Sequence, residues 1–258
     1  MKSLLLSLVI APAAVSLSSA VWAEEASTWS LGLGLSVAQS PYAGADTSVT
    51  PLPLLNYESE RLFFHGLMGG VHLFEQQGFG LDVIVAGRLD GIDRDDFGRR
   101  ELARNGIDRD LLDDRDDGLD VGLRATWKGT PGEVQALARG DVSGASNGYE
   151  LSLRYSYPLQ LGATRVEPGV AVSYLSGQLA DYYFGTSNDE VTRGVPRYRP
   201  GSAVVPSLGV GVSRALGERW LLNGELGYRF LPDRISDSPL VDEGSGSLGV
   251  KVGLSWRF

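Results

Sequence analysis

Apolar and polar residues alternate with period two along most of this chain, in runs of about ten. The last run is the clearest. Leu248, Val250, Val252, Leu254, Trp256 and Phe258 fall on one side, and Gly249, Lys251, Gly253, Ser255 and Arg257 fall on the other. Successive side chains of a strand point to opposite faces, so one face is continuously apolar and the other small or charged. The same alternation recurs at residues 29–38, 79–88, 118–127, 149–157, 165–174, 204–214 and 220–230, and more weakly at 133–142.

A soluble β-sandwich alternates too. Two features favour a membrane barrel instead. Trp29, Trp127, Tyr149, Tyr157, Tyr174, Trp220, Phe230 and Trp256 stand at strand ends on the apolar face, where interfacial aromatic girdles lie. The connections alternate between short (129–132, 158–162, 215–218) and long (89–117, 175–203, 231–246), as periplasmic turns and extracellular loops do. The pattern predicts an all-β fold, an antiparallel outer-membrane β-barrel closed by a C-terminal strand ending in Phe258. Trp256 and Phe258 resemble the signal read by barrel-assembly machinery. With Phe258 at the periplasmic end, every strand back to 79–88 is oriented.

Upstream, residues 49–57 and 61–74 bring the count to eleven, whereas a bacterial barrel of this kind needs an even number. A turn between Gly66 and Gly70 would split 61–74 and give twelve strands. Discounting one candidate would give ten. Twelve is the preferred expectation. Pro51 and Pro53 lie here, and proline cannot donate to a ladder, so irregular pairing is expected.

Residues 1–23 read as a signal peptide: Lys2, an apolar run from Leu4 to Leu17, and Val21-Trp22-Ala23 as a cleavage site. Residues 24–258 then form a single barrel domain. No later segment reaches the roughly 20 apolar residues of a spanning helix, so a membrane-spanning mature chain must be a closed barrel. Its destination would be the outer membrane, among lipid and lipopolysaccharide. Losing 1–23 removes Lys2 alone among charged residues, leaving 22 basic against 32 acidic residues and a net charge of −10, which argues against nucleic acid. The absence of cysteine excludes disulfides and thiolate metal sites.

The inward-facing positions are glycine, serine and charges of both signs. Asp120/Arg124, Glu150/Arg154, Arg165/Glu167 and Glu225/Arg229 are candidate lumen pairs. Loop 89–117 holds ten Asp, one Glu and six Arg. Its Asp93–Gly98 run fails as a calcium loop, because Phe97 and Arg104 occupy ligand positions. A short helix is expected within 101–112. Loop 175–203 offers Tyr182, Tyr183, Phe184, Arg197, Tyr198 and Arg199 as partner anchors, or as residues packing the loop on its own barrel. His65 and His72, the two histidines, would face opposite sides of one regular strand. No G-x-S-x-G, H-E-x-x-H or cysteine nucleophile accompanies them, and neither an enzyme nor a cofactor is expected.

Gly32–Asp46, Pro51-Leu-Pro-Leu-Leu-Asn-Tyr57, Arg61-Leu-Phe-Phe64, Tyr182-Tyr-Phe-Gly185, Tyr198-Arg-Pro-Gly201 and Ser236-Asp-Ser-Pro-Leu-Val241 together resemble the MipA/OmpV family over nearly the whole mature chain. The resemblance implies a non-enzymatic scaffold joining a lytic transglycosylase to a murein synthase. Residues 24–28 and 39–48 would add docking surface to otherwise short periplasmic turns. Two alternatives remain open, a small-solute channel and a surface adhesin or antigen acting through its loops.

Overall fold

The computed structural model describes residues 29–242, 244 and 246–258, so the expected leader lies outside the described residues. Thirteen strands form one antiparallel sheet: β1 (Trp29–Ala38), β2 (Ser48–Glu58), β3 (Leu62–His65), β4 (Met68–Gln76), β5 (Phe79–Arg88), β6 (Gly118–Gly129), β7 (Gly132–Asp141), β8 (Tyr149–Ser156), β9 (Leu159–Leu161), β10 (Thr164–Leu175), β11 (Ala203–Leu216), β12 (Trp220–Phe230) and β13 (Gly246–Arg257). Each strand pairs with its successor except that β8 and β9 both pair with β10, β13 pairs with β1 in register from Ser30↔Arg257 to Ala38↔Gly249, and a twelve-stranded barrel closes. The short β9 continues β8 along β10, the two separated by Tyr157 and Pro158.

The alternation explains the wall. Leu33 is 75% exposed, and Leu31, Leu35, Leu151, Leu153, Val252 and Leu226 also face outward. Such a shell is stable against lipid rather than water. Aromatic side chains rim it in contact with one another. Trp220 and Trp256 meet edge-on at 4.8 Å, and Trp29 lies 4.5 Å from Tyr57 at the periplasmic end. At the opposite rim Tyr228 meets Phe230 at 4.8 Å.

The odd count resolves at Gly66 and Leu67, where the chain reverses between β3 and β4. Gly66 takes a φ of +60°, a conformation glycine adopts without penalty. The hairpin is short. Only Asn56, Tyr57 and Glu58 of β2 are in register with β3, so Ser48–Leu54 has no strand neighbour on that side among the described residues. Leu55 accepts from the Gly66 amide, so its backbone polar groups point at β3. By the period-two rule those of Pro51 and Pro53 point the same way, into the gap. The two residues without N–H donors stand where no ladder exists to receive one.

Four extracellular segments fold over the outer mouth. Loops 39–47, 89–117, 176–202 and 231–242 share a buried core that includes Tyr42, Phe97, Leu102, Ile107, Leu179, Phe184, Ile235 and Leu240. Short helices supply much of it: α1 (Arg99–Arg104), α2 (Gly177–Phe184), α3 (Asn188–Arg193) and α4 (Asp233–Ser236). Backbone bonds stitch the segments together, with Ala43 N–H donating to Leu240 C=O and Gly98 N–H to Ala43 C=O. Residues 39–47 therefore lie in the extracellular cap. The expectation that 39–48 would add periplasmic surface fails because β1 runs outward, antiparallel to β13.

Candidate functional site in the lumen

One polar chain crosses the inner face of β2 to β6. Glu58 contacts His65 Nε2 and His72 Nε2, each at 2.9 Å. His72 Nδ1 lies 2.7 Å from Asp82, whose other oxygen accepts from Arg124 Nε at 2.7 Å. The Arg124 guanidinium covers the Phe63 ring at 4.4 Å, and Phe63 in turn lies 5.4 Å from His65 and 4.9 Å from His72. The reversal at Gly66–Leu67 puts both histidines on one face. The expectation of opposite faces assumed an unbroken strand. His72 thus stands between two carboxylates, with one facing each ring nitrogen. Neither histidine bonds a hydroxyl among the described residues.

A second network fills the lumen beneath the cap. Arg88 lies 2.6 Å from Asp120 and 3.1 Å from Glu150. Arg139 lies 2.7 Å from Glu150 and 3.4 Å from Asp120, a carboxylate with no exposed surface. Arg165 pairs with Glu167 at 2.9 Å, and Ser156 Oγ donates to the same carboxylate at 2.9 Å. Glu225 pairs with Lys251, its register neighbour on β13, at 3.7 Å.

Of the four pairs expected along the strands, the described contacts contain Arg165–Glu167. The geometry explains the rest. Residues i and i+4 of a strand are ~13 Å apart, whereas cross-strand neighbours are ~5 Å apart. Asp120 therefore reaches β5 and β7 rather than Arg124, and Arg124 reaches Asp82. Glu150 is taken by Arg88 and Arg139. Glu225 reaches Lys251 rather than Arg229. Arg154 is left inward-facing, with no hydrogen bond or ion pair among the described residues. Its guanidinium lies over Gly169, where a Cβ would come within 3.3 Å of Nη2.

The loop residues are divided. Tyr183 and Phe184 are buried in the cap, and Tyr183 donates to Asp116 C=O at 3.2 Å. Tyr182 Oη accepts from Asp116 N–H at 2.8 Å, and Tyr198 Oη donates to Arg234 C=O at 3.0 Å. Arg197 and Arg199 are exposed, and Arg199 donates to Asn188 Oδ1 at 2.9 Å. Burial pushes the Tyr183 hydroxyl well above the usual phenol range. Trp256 lies at the end of β13 and Phe258 one residue beyond it, at the periplasmic rim, where Arg219 covers the Trp256 ring at 5.5 Å.

Sequence reasoning missed the strongest tie in the cap. Glu190, fully buried, accepts from Arg115 Nη1 at 2.9 Å and Nη2 at 3.0 Å, from Asp113 N–H at 2.9 Å and from Ser187 N–H at 2.7 Å. The signal was present. Ser187-Asn-Asp-Glu190 is a capping box, the Ser/Thr-x-x-Glu pattern that opens helices.

A closed antiparallel barrel with an apolar shell, aromatic rims and a charged lumen is an integral protein of the outer membrane. The family model described as "MltA-interacting protein MipA" matches residues 31–258, and the chain belongs to that family. The MltA-interacting protein of Escherichia coli (strain K12) is 29% identical over 231 residues, covering 89% of this chain and 90% of its own length. The outer membrane protein YiaT of the same strain is 30% identical over 237 residues, covering 90% and 92%. Among solved structures, the NanC porin is similar at a TM-score of 0.45 and 7% identity, covering 88% of this chain and 100% of that one.

Proposed function

We propose that this protein is a non-enzymatic scaffold that docks a lytic transglycosylase and a murein synthase at the inner surface of the outer membrane. One observation carries the reading. Leu179 and Phe184 belong to the cap's core and also roof the cavity beneath it, so the cap sits on the lumen as a plug, as a protein that holds partners rather than passing solutes requires. The name of the Escherichia coli relative, MltA-interacting protein, supports a hydrolase as one partner. Docking would use the periplasmic turns together with residues 24–28.

The test is cross-linking and co-purification of the membrane-embedded chain with a lytic transglycosylase and a murein synthase, alongside single-channel conductance in a planar bilayer. Recovery of both enzymes with no conductance is expected. Steady conductance without either enzyme would replace the scaffold by a small-solute channel.

A further inference from the structure

We propose that the lumen chamber beneath the cap is a binding site for a small carboxylate, seated on Arg154. The proposal is independent of any scaffold role. Arg154 of β8 pairs with Ala171 of β10, Ala171 with Ser207 of β11, and Ser207 with Arg229 of β12. One row across the inner wall therefore reads Arg, Ala, Ser, Arg. The two arginines stand three strands apart, ~14 Å at the usual inter-strand spacing, and each side chain spans about half of that. Between them the wall carries only a methyl and a hydroxymethyl group.

The space is open. A cavity of about 80 Å³ is lined by this row, and the cap roofs it with Leu179, Tyr183 and Phe184. A few water molecules, or a ligand of a few non-hydrogen atoms, fit such a volume. Gly169 and Gly209 keep neighbouring wall positions bare.

Charge decides what belongs there. The nearby carboxylates are committed. Of those lining the chamber, Glu150 holds Arg88 and Arg139, Asp90 holds Arg88, and Glu225 holds Lys251; beside it Glu167 holds Arg165 and the Ser156 hydroxyl. Arg154 lies half-buried in the same chamber with no partner of its own. A cation partly withdrawn from water without a counter-charge is unfavourable, and a guanidinium pairs best with a planar two-oxygen anion that both of its N–H edges reach. A carboxylate on Arg154 would place a short tail toward the roof formed by Leu179, Tyr183 and Phe184, with the Ser207 hydroxyl at its side. A long or bulky tail does not fit the volume.

The experiment is calorimetric titration of the refolded full chain in detergent with sodium acetate and sodium propionate. Sodium chloride and tetramethylammonium sulfate serve as ionic controls. One saturable site per chain is expected for the carboxylates. Arg154→Gln should weaken it at least tenfold. Ala171→Glu tests the same idea while keeping Arg154. It places a tethered carboxylate directly across the strand pair, and it should abolish binding by occupying the guanidinium from within. A folded Ala171→Glu chain that binds acetate as the native chain does would overturn the proposal. So would chloride binding as strongly as acetate, or the absence of a saturable site in the native chain.

Discussion

Replacing Glu190 by Gln should open the extracellular cap while leaving the barrel intact. The substitution keeps the side chain's shape and removes its charge. In the native protein the carboxylate accepts four hydrogen bonds, two from Arg115 and one each from the amides of Asp113 and Ser187. A glutamine offers one acceptor oxygen and turns an NH2 group toward donors. Arg115, itself buried, then keeps a charge without a counter-charge. Breaking a buried pair by neutralising one partner typically costs about 3–5 kcal/mol. That cost falls on the contact between loops 89–117 and 176–202, because Asp113, Arg115, Ser187 and Glu190 all lie there. Cap amides such as those of Ile92 and Arg115, which bond each other's carbonyls, should exchange with solvent faster by about 100-fold or more, since 1.4 kcal/mol is a factor of ten. Strand amides should not change. Hydrogen exchange read by mass spectrometry on the micelle-embedded chain distinguishes the two sets. Cap protection within threefold of native would refute the assignment of the pair as the cap's main tie, and equal loss in cap and strands would refute the independence of cap and barrel.

Further predictions concern other parts of the molecule. Leu102→Ala, at a fully buried position of the cap core, should cost about 2–5 kcal/mol of cap stability, measured as the same exchange rates. Leu33→Arg on the lipid face should cost about 2–4 kcal/mol of barrel stability in denaturant-dependent refolding into vesicles, and a cost near zero would place β1 outside the bilayer. Gly70→Val should destabilise the β3–β4 hairpin, because a Cβ there would run into the Val83 carbonyl and fall 2.5 Å from the Phe63 ring. A native thermal midpoint for that variant would refute the packing. Burial, then Asp114, Asp96, Asp95 and Asp116, hold the Asp93 carboxyl above the usual range. A carboxylate with a raised folded value weakens the fold where it is charged, and this is relieved as pH falls through that value. Asp93→Asn should therefore slow exchange in loop 89–117 at neutral pH and change little in acid.

The fold was legible because lipid imposes a strict rule. Wherever a strand crosses the bilayer its outward residues must be apolar, so Leu31, Leu33 and Leu35, or Leu248 to Leu254, announce both strand and face. The same rule made Phe258 a fixed end from which to orient the chain. The β3–β4 reversal was visible as Gly66 within an over-long run, although its depth in the wall was not. The lumen was less legible. Inward residues follow no comparable rule, and charges meet across strands by register, so Arg88 finding Asp120, or Arg139 finding Glu150, could not be read from spacing along one strand. The histidines were misplaced for the same reason, since a two-residue turn changes which face every later residue takes. The cap was the least legible, because its core is assembled from four segments far apart in sequence and none carries enough periodicity to be seen alone.

Closed barrels avoid uncontrolled association by having no free edge to offer. This one carries a stretch of free edge on β2, left by the brevity of β3, and spends its prolines there. An intruding strand aligned with Ser48–Leu54 would find two successive donor positions empty. It could not zip, whether it came from a second copy of this chain or from a barrel still being assembled next to it. Pro51 and Pro53 thus act as insulation, letting the wall stay incomplete without becoming adhesive.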